Sequence, residues 1–388
     1  MRLFEPIRLG QLALRNRVVM APMTRRMAAE DGIPTDAMVA YYRRRAAGEV
    51  GLIVSEGTAI DDRHAWDTLT VPRFETDAQL DGWRRVVEAV HAEDGAFAPQ
   101  LWHTGRLAYH PIGPSACDMG PRKDGTPRPP VKPMDEGDFE QVLAAYAHAA
   151  RAARAIGCDA LEIHGAHGYL LDSFLSPGPN ERTDRYGGSF EHRMRFPLEV
   201  VRVVRDAVGP GFPVIYRFSQ WRVDAHEELK FKTPDELAVW VTALREAGVD
   251  ILHVSTARAI DPGFPDLEDP ENTEDAQHAE HGEDAERTVG PGDRALSLAG
   301  WSQRLSDLPA IAVGSVTVGF TMPETRDAGG VAPVADPAPA IAMVERGEVE
   351  LLAIGRALIA NPDWVKVVRD AGWRELRPYE QTMLGTLV

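Results

Sequence analysis

Short apolar runs recur along the chain at intervals, each bounded by polar residues or by glycine and proline. They are "RVVMAP" (17–22), "LIVSEG" (52–57), "FAPQLWH" (97–103), "ALEIH" (160–164), "PVIYRFS" (213–219), "ILHVS" (251–255), "AIAVGS" (310–315) and "LLAIGR" (351–356). They are nearly continuous rather than alternating, and often β-branched, as parallel strands covered on both faces are. Between them lie amphipathic stretches with helical spacing: Pro34–Ala47, Asp77–Ala92, Asp138–Ile156, His192–Val208, Thr233–Ala247, Ala295–Leu305, Ala335–Arg346 and Pro362–Ala371. In "KTPDELAVW", Thr233 is placed to cap a helix and Pro234 to occupy its first position. In "AIGCDAL" and "EAGVDIL" a glycine ends a helix just before a strand.

Eight strand-then-helix units predict a (β/α)8 barrel, the TIM-barrel class of α/β fold. A doubly wound sheet would carry a G-x-G-x-x-G turn after a strand, and the chain has none. Residues 1–16, with Gly10 between "FEPIRL" and "LALRN", predict a hairpin closing the barrel floor. No repeat shows beyond the βα period, so residues 1–388 are read as one domain. Three stretches exceed ordinary loop length: 104–137, 165–191 and 256–294. All three follow strand C-terminal ends, the face on which barrels build active sites.

Charge narrows the partners. The formal net charge is −17 and the pI near 5.2, which repels phosphate backbones and argues against nucleic acid. Part of that charge is the run Asp266–Glu286, "DLEDPENTEDAQHAEHGEDAE", which has almost no large apolar residue and reads as a solvated acidic insertion within 256–294. The two cysteines, Cys117 and Cys158, form no CxxC pair, so no zinc ribbon, iron–sulfur cluster or disulfide framework is expected. No apolar stretch is long enough to span a bilayer, and the N-terminus lacks a signal core. A soluble, cytoplasmic protein without membrane partners is expected.

Polar residues at the strand ends carry the candidate chemistry: Thr24 and Arg25 after the first, Gly57 and Thr58 at the second, Gln100, Trp102 and His103 at the third. His164, His167 and Tyr169 follow the fourth, and Arg217 lies within the fifth. Gly314 and Ser315 end the seventh, and Gly355 and Arg356 the eighth, where barrels commonly bind phosphate. Arg217 near the barrel axis needs an anion, either an internal carboxylate such as Glu56 or Glu162 or a bound group. His164 and His167, in "EIHGAHGYLLDSFLSP", read as a metal pair, an acid–base pair or loop histidines. Gly165 and Gly168 favour a turn over a helix there, which weakens the metal reading.

Taken in order, "LFEPIRLGQLALRNRVVMAPMTR", "GLIVSEGTAI", "PQLWHTGR", "EIHGAHGYLLDSFLSPGPNERTDRYGGSFEHRMRFPLEVV" and "AIGRALIANPDW" resemble the Old Yellow Enzyme family of FMN-dependent oxidoreductases. The likeness covers roughly residues 1–315 and 340–372. It implies noncovalent FMN on the C-terminal face and NADH or NADPH as hydride donor. It implies that Pro22, Met23 and Thr24 pack along the flavin, with Thr24 at the O4/N5 edge and Gly57 and Gln100 at the pyrimidine side. Arg217 would sit by N1 and O2, and Gly314, Ser315, Gly355 and Arg356 would hold the phosphate. His164 and His167 would donate to a carbonyl or nitro oxygen, Tyr169 would supply a proton, and Trp102 would line the substrate side.

The implied activity is reduction of activated alkenes, with an amine oxidase or N-demethylase on the same barrel as the alternative. The family spans monomers and larger assemblies, so a homo-oligomer is within what the resemblance implies. The chain departs from the family pattern at Gln220 and Trp221 in "RFSQW", at His192, in the acidic insertion and in the loop after the seventh strand. Its C-terminal aromatic is not evident, Tyr379 being the nearest candidate.

Overall fold

In the computed structural model, which describes residues 1–60, 63–122, 125–222, 224–225, 228–265 and 295–387, eight parallel strands close into a barrel. They are β1 (Val18–Met20), β2 (Leu52–Ala59), β3 (Ala96–Trp102), β4 (Leu161–His164), β5 (Val214–Ser219), β6 (Ile251–Ser255), β7 (Ala310–Val313) and β8 (Leu351–Ile354). Each pairs with its neighbour in chain order, and β8 returns to β1 with Leu352 opposite Val18. This is the (β/α)8 barrel that the spacing predicts. The acidic run at 266–286 lies outside the described residues.

The outer layer contains α1 (Asp36–Ala47), α2 (Asp77–His91), α3 (Glu136–Ala155), the short α4 (Leu170–Leu175) and α5 (Phe190–Val208). It continues with α6 (Pro234–Ala247), α7 (Leu298–Ser306), α8 (Met322–Asp327), α9 (Ala338–Glu345) and α10 (Arg356–Ala360). Thr233 caps α6 by accepting from the Glu236 N–H, and Gly248 ends it in the left-handed region at φ 109°. The helix expected over 362–371 forms from Trp364 to Ala371, α-helical over Trp364–Lys366 and π-helical over Val367–Ala371. Pro362 lacks the N–H that would continue α10, and the buried Arg45 guanidinium takes the carbonyls of Leu358 and Ile359 instead. Among the described residues no helix is long and apolar enough to cross a membrane.

Strand parity divides the barrel interior into two storeys. The lower one is apolar: Val19, Leu52, Val54, Ala96, Ala98, Ala160, Ile215, Ile251, Ile311 and Leu351 pack together. Leu12 and Leu14 join them from the antiparallel hairpin Ile7–Leu9 and Leu12–Leu14, which plugs the floor. Two residues further along each strand, the same inward parity delivers Gln100, Glu162, Arg217 and His253, all buried. Outward positions such as Phe97, Leu161 and Phe218 pack in the larger core under the helices. The upper storey is therefore polar and faces the C-terminal end.

Candidate active site

A cavity of about 590 Å³ opens at the C-terminal ends of the strands, a size suited to a cofactor-bearing site. Pro22, Met23, Thr24, His167, Arg217, Gly314, Ser315, Gly355 and Arg356 all line it. Arg217 is 6% exposed, yet among the described residues its guanidinium makes one hydrogen bond, from Nη2 to Ser255 Oγ at 3.4 Å, and its Nε has no partner. The carboxylates that could neutralise it internally are engaged elsewhere. Glu162 accepts from Gln100 Nε2 at 2.8 Å and pairs with His253 Nδ1 at 2.5 Å. Glu56 accepts from the Arg25 and Arg26 N–H groups. The Glu162 charge still acts on Arg217 from a distance, but no carboxylate pairs with it directly among the described residues, so its unengaged donors are open to an anionic occupant of the cavity.

The far end of the cavity is built by the loop after β7 and the start of α10. Ser315 and Thr317 both adopt positive φ, 45° and 59°. Their N–H groups and that of Val316 meet no acceptor among the described residues. A Cβ on Gly314 would lie 2.6 Å from the Thr256 carbonyl, so the chain requires glycine there. A Cβ on Gly355 would meet nothing closer than 3.8 Å, so no protein contact requires that glycine, and the space beside it belongs to the cavity. Arg356 spans the loop, donating to the Thr321 and Phe320 carbonyls and to the Thr325 and Ser315 hydroxyls. No carboxylate pairs with it among the described residues, and Tyr379 lies 5.9 Å away as a cation–π partner.

The third wall is the turn after β4. His167 takes φ 63° and Gly168 φ 84°. The strain at His167 is held by two anchors: its N–H donates to Ser219 Oγ at 2.9 Å, and the Gly168 N–H to Asp172 Oδ2 at 2.7 Å. Asp172 is itself buried against Lys230. His164 Nδ1 accepts the Ala166 N–H at 3.3 Å. Burial, followed by the Arg217 charge, holds the His164 imidazole well below its usual range, so it is neutral with its proton on Nε2. His167 is pushed down by the same two causes. Its Nε2 lies 2.9 Å from Ser255 Oγ, and its ring lies 4.5 Å from that of Trp221. The Tyr169 ring stands edge-on to Trp102 at 4.9 Å and to His164 at 5.1 Å. Burial, then the Asp67 carboxylate, pushes its hydroxyl up to about 12, so it holds its proton at neutral pH.

A model of the NADH:flavin oxidoreductase / NADH oxidase family matches residues 2–289. The chain belongs to this family. It is the Old Yellow Enzyme family, and its cofactor is FMN. The NADH oxidase of Thermoanaerobacter brockii is 32% identical over 398 aligned residues, which take in 99% of this chain and 53% of that protein. The chain spans about half the length of that and other curated relatives it matches. Morphinone reductase, solved in complex with tetrahydroNAD, superposes with a TM-score of 0.75 at 29% identity, covering 98% of this chain and 93% of that one. The old yellow enzyme homologue of Zymomonas mobilis gives 0.76 at 26% identity, covering 100% and 99%.

The residues present fit the Old Yellow Enzyme cofactor. FMN would bring a dianionic phosphate to a loop whose N–H groups have no acceptor among the described residues, and an electron-accepting ring to Arg217, which no carboxylate there contacts directly. Gly57, Gln100, Trp102, His164 and Tyr169 are not part of the same lining. Gly57 sits opposite Gln100 in the barrel register, where a Cβ would come 2.6 Å from the Trp102 ring. Gly57→Ala is thus expected to cost about 1–3 kcal/mol of stability through overpacking, as a lower denaturant midpoint in equilibrium unfolding. The structure also adds cavity residues that the sequence reading did not single out, among them Ser255, Ile359 and Leu384. For Ser255 the signal was present: it shares the inward parity of Ile251 and His253 in "ILHVS".

Proposed function

We propose that this protein is an FMN-dependent NAD(P)H oxidoreductase that reduces activated alkenes, namely α,β-unsaturated carbonyl or nitro compounds. The observation that carries the reading is the turn after β4. It sets two neutral imidazoles and a protonated phenol beside a cavity lined by a buried arginine that no carboxylate contacts directly among the described residues. FMN, when bound, would supply hydride chemistry between NADH or NADPH and the β-carbon of the alkene.

The chain's own residues orient and polarise. The free His164 Nε2–H donates to the substrate's carbonyl or nitro oxygen, with His167 beside it, and the two withdraw electron density from the β-carbon as negative charge gathers on that oxygen. Tyr169 gives its proton to the α-carbon and is reprotonated from solvent. Pro22, Met23 and Thr24 support one edge of the ring, and Arg217 faces the charge it acquires on reduction. Gly314, Ser315, Gly355 and Arg356 hold the phosphate, Arg356 by fixing the loop as well as by its charge. Trp102 packs behind Tyr169 and fixes its ring.

The test is a pair of anaerobic half-reactions. NADH or NADPH should bleach the flavin absorbance of the purified protein, and 2-cyclohexenone or a nitroalkene should restore it. Bleaching that no alkene reverses would sink the reductase reading. Bleaching by an N-methylated amine without nicotinamide would favour the demethylase chemistry instead.

A further inference from the structure

The mechanism makes no use of Glu56, a carboxyl that is 1% exposed at the top of β2. The pairing of β2 with β3 shifts register between Val54 and Gly57. Such an irregularity re-aims side chains, and Glu56 meets α1 rather than the polar storey of the barrel. Its Oε2 accepts two backbone N–H groups from the loop after β1, Arg25 at 2.8 Å and Arg26 at 3.0 Å. Its Oε1 accepts from the Tyr42 hydroxyl of α1 at 3.4 Å, and that hydroxyl in turn accepts the Glu56 N–H at 2.9 Å.

What hangs from those two N–H groups is more than a loop. The residues just before them, Met23 and Thr24, line the cavity. The Arg25 guanidinium reaches the C-terminal segment, donating to the Met383 carbonyl at 2.9 Å and the Thr386 carbonyl at 2.5 Å. Between those carbonyls lies Leu384, which is also in the cavity wall. Arg26 is held at φ 57°, a strained value for a side chain this size, and its guanidinium pairs with Asp67, the carboxylate that raises the Tyr169 hydroxyl. One buried carboxyl thus ties together β2, α1, the loop after β1 and, through Arg25, the C-terminal wall.

We propose that Glu56 is a positioning residue: it fixes the loop that carries Met23 and Thr24 and, through Arg25, seats the C-terminal segment that closes the cavity. Its bearing on catalysis rests on the FMN-reductase reading; the clamp itself does not.

The clamp also responds to pH. Burial pushes the Glu56 carboxyl up to about 7, against the opposing pull of the Arg25 and Arg26 N–H groups, the Arg25 charge and the Tyr42 hydroxyl. Those are the charged and titratable groups that face it: the Arg26 side chain turns away to Asp67, and the Arg45 guanidinium lies over the Tyr41 ring at 3.7 Å. A carboxyl raised above its hydrated value stabilises the closed arrangement at low pH, and that contribution is lost as pH rises through about 7. The seat of the C-terminal segment should loosen on the alkaline side.

Hydrogen exchange on the full-length protein, as purified and again without FMN, tests this at pH 6 and pH 8. In Glu56→Ala, protection of the segment after β1 and of residues 381–387 should fall about tenfold, the scale of one lost hydrogen bond. In Arg25→Met, protection should fall in 381–387 alone. Glu56→Gln, which keeps an acceptor but cannot ionise, should hold the protection and abolish its decline between the two pH values. Wild-type protection of residues 381–387 in Arg25→Met, or a wild-type pH dependence in Glu56→Gln, would overturn the proposal even if Glu56→Ala does not fold. An intact clamp in a protein that never reduces an alkene would instead count against the reductase reading alone.

Discussion

Tyr169→Phe is expected to slow alkene reduction by about a hundred- to ten-thousandfold, the usual value of a positioned proton donor. Reduction of bound FMN by NADH or NADPH should stay within a few-fold of normal. Phenylalanine keeps the ring that packs edge-on against Trp102 and His164, so the change isolates the hydroxyl. That hydroxyl is buried and raised to about 12, which makes it a proton carrier at neutral pH and not a base. Stopped-flow measurement of the two half-reactions separates the outcomes. An equal loss in both would mean that Tyr169 shapes the site for either ligand and donates no proton.

Arg217→Met is expected to weaken FMN binding by about a hundredfold or more, the scale for removing one member of a buried charge pair. The FMN-free protein should meanwhile unfold at the same or a higher temperature. The reasoning turns on the absence, among the described residues, of a carboxylate in direct contact with Arg217. Were Arg217 the hydrogen-bonded partner of Glu162, methionine would strand a buried carboxylate and destabilise the fold. Glu162 instead makes its hydrogen bonds to His253 and Gln100 and acts on Arg217 only through its charge, so methionine relieves a desolvated cation without breaking an ion pair. Flavin titration and thermal unfolding of the FMN-free variant check the two halves, and a clear drop in melting temperature would show that Arg217 is structural.

The architecture was legible because parallel strands buried on both faces leave a strong mark: eight apolar runs separated by helical spacing correspond to β1–β8. The last helix was legible as well: the periodicity over 362–371 corresponds to the helical run from Trp364 to Ala371, and what it does not record is that Val367–Ala371 takes the wider π-helical form. Within the site, local signals reached furthest. The histidine turn, the glycine after β7 and the glycine after β8 are each legible in a few adjacent residues, and all three lie at the C-terminal end of the barrel. Arg217 could be located in the sequence but its partner could not, because the choice among Glu56, Glu162 and a bound group depends on which way each carboxylate points. Glu56 illustrates this: a register shift turns it outward, and its ligands are backbone N–H groups, which no side-chain pattern records. Tyr379 is a similar case, since it lines the cavity beside Arg356, at the end where we propose that the phosphate sits.

The closure of β8 onto β1 has a consequence for how the chain is made. Leu352 pairs with Val18, and Glu350 binds both Arg2 and Arg17, so the seam joins the two ends of the sequence. During synthesis the hairpin and β1 emerge first and wait, with one edge unpaired, until more than three hundred further residues have followed. Contacts of such separation form late and slowly, and an open strand edge invites association with other chains in the interval. The early-made hairpin, whose Leu12 and Leu14 already fill the floor, gives the arriving strands a surface to collapse on. Nascent chains halted before residue 351 should therefore aggregate, whereas those extended past α10 should reach a protease-resistant state.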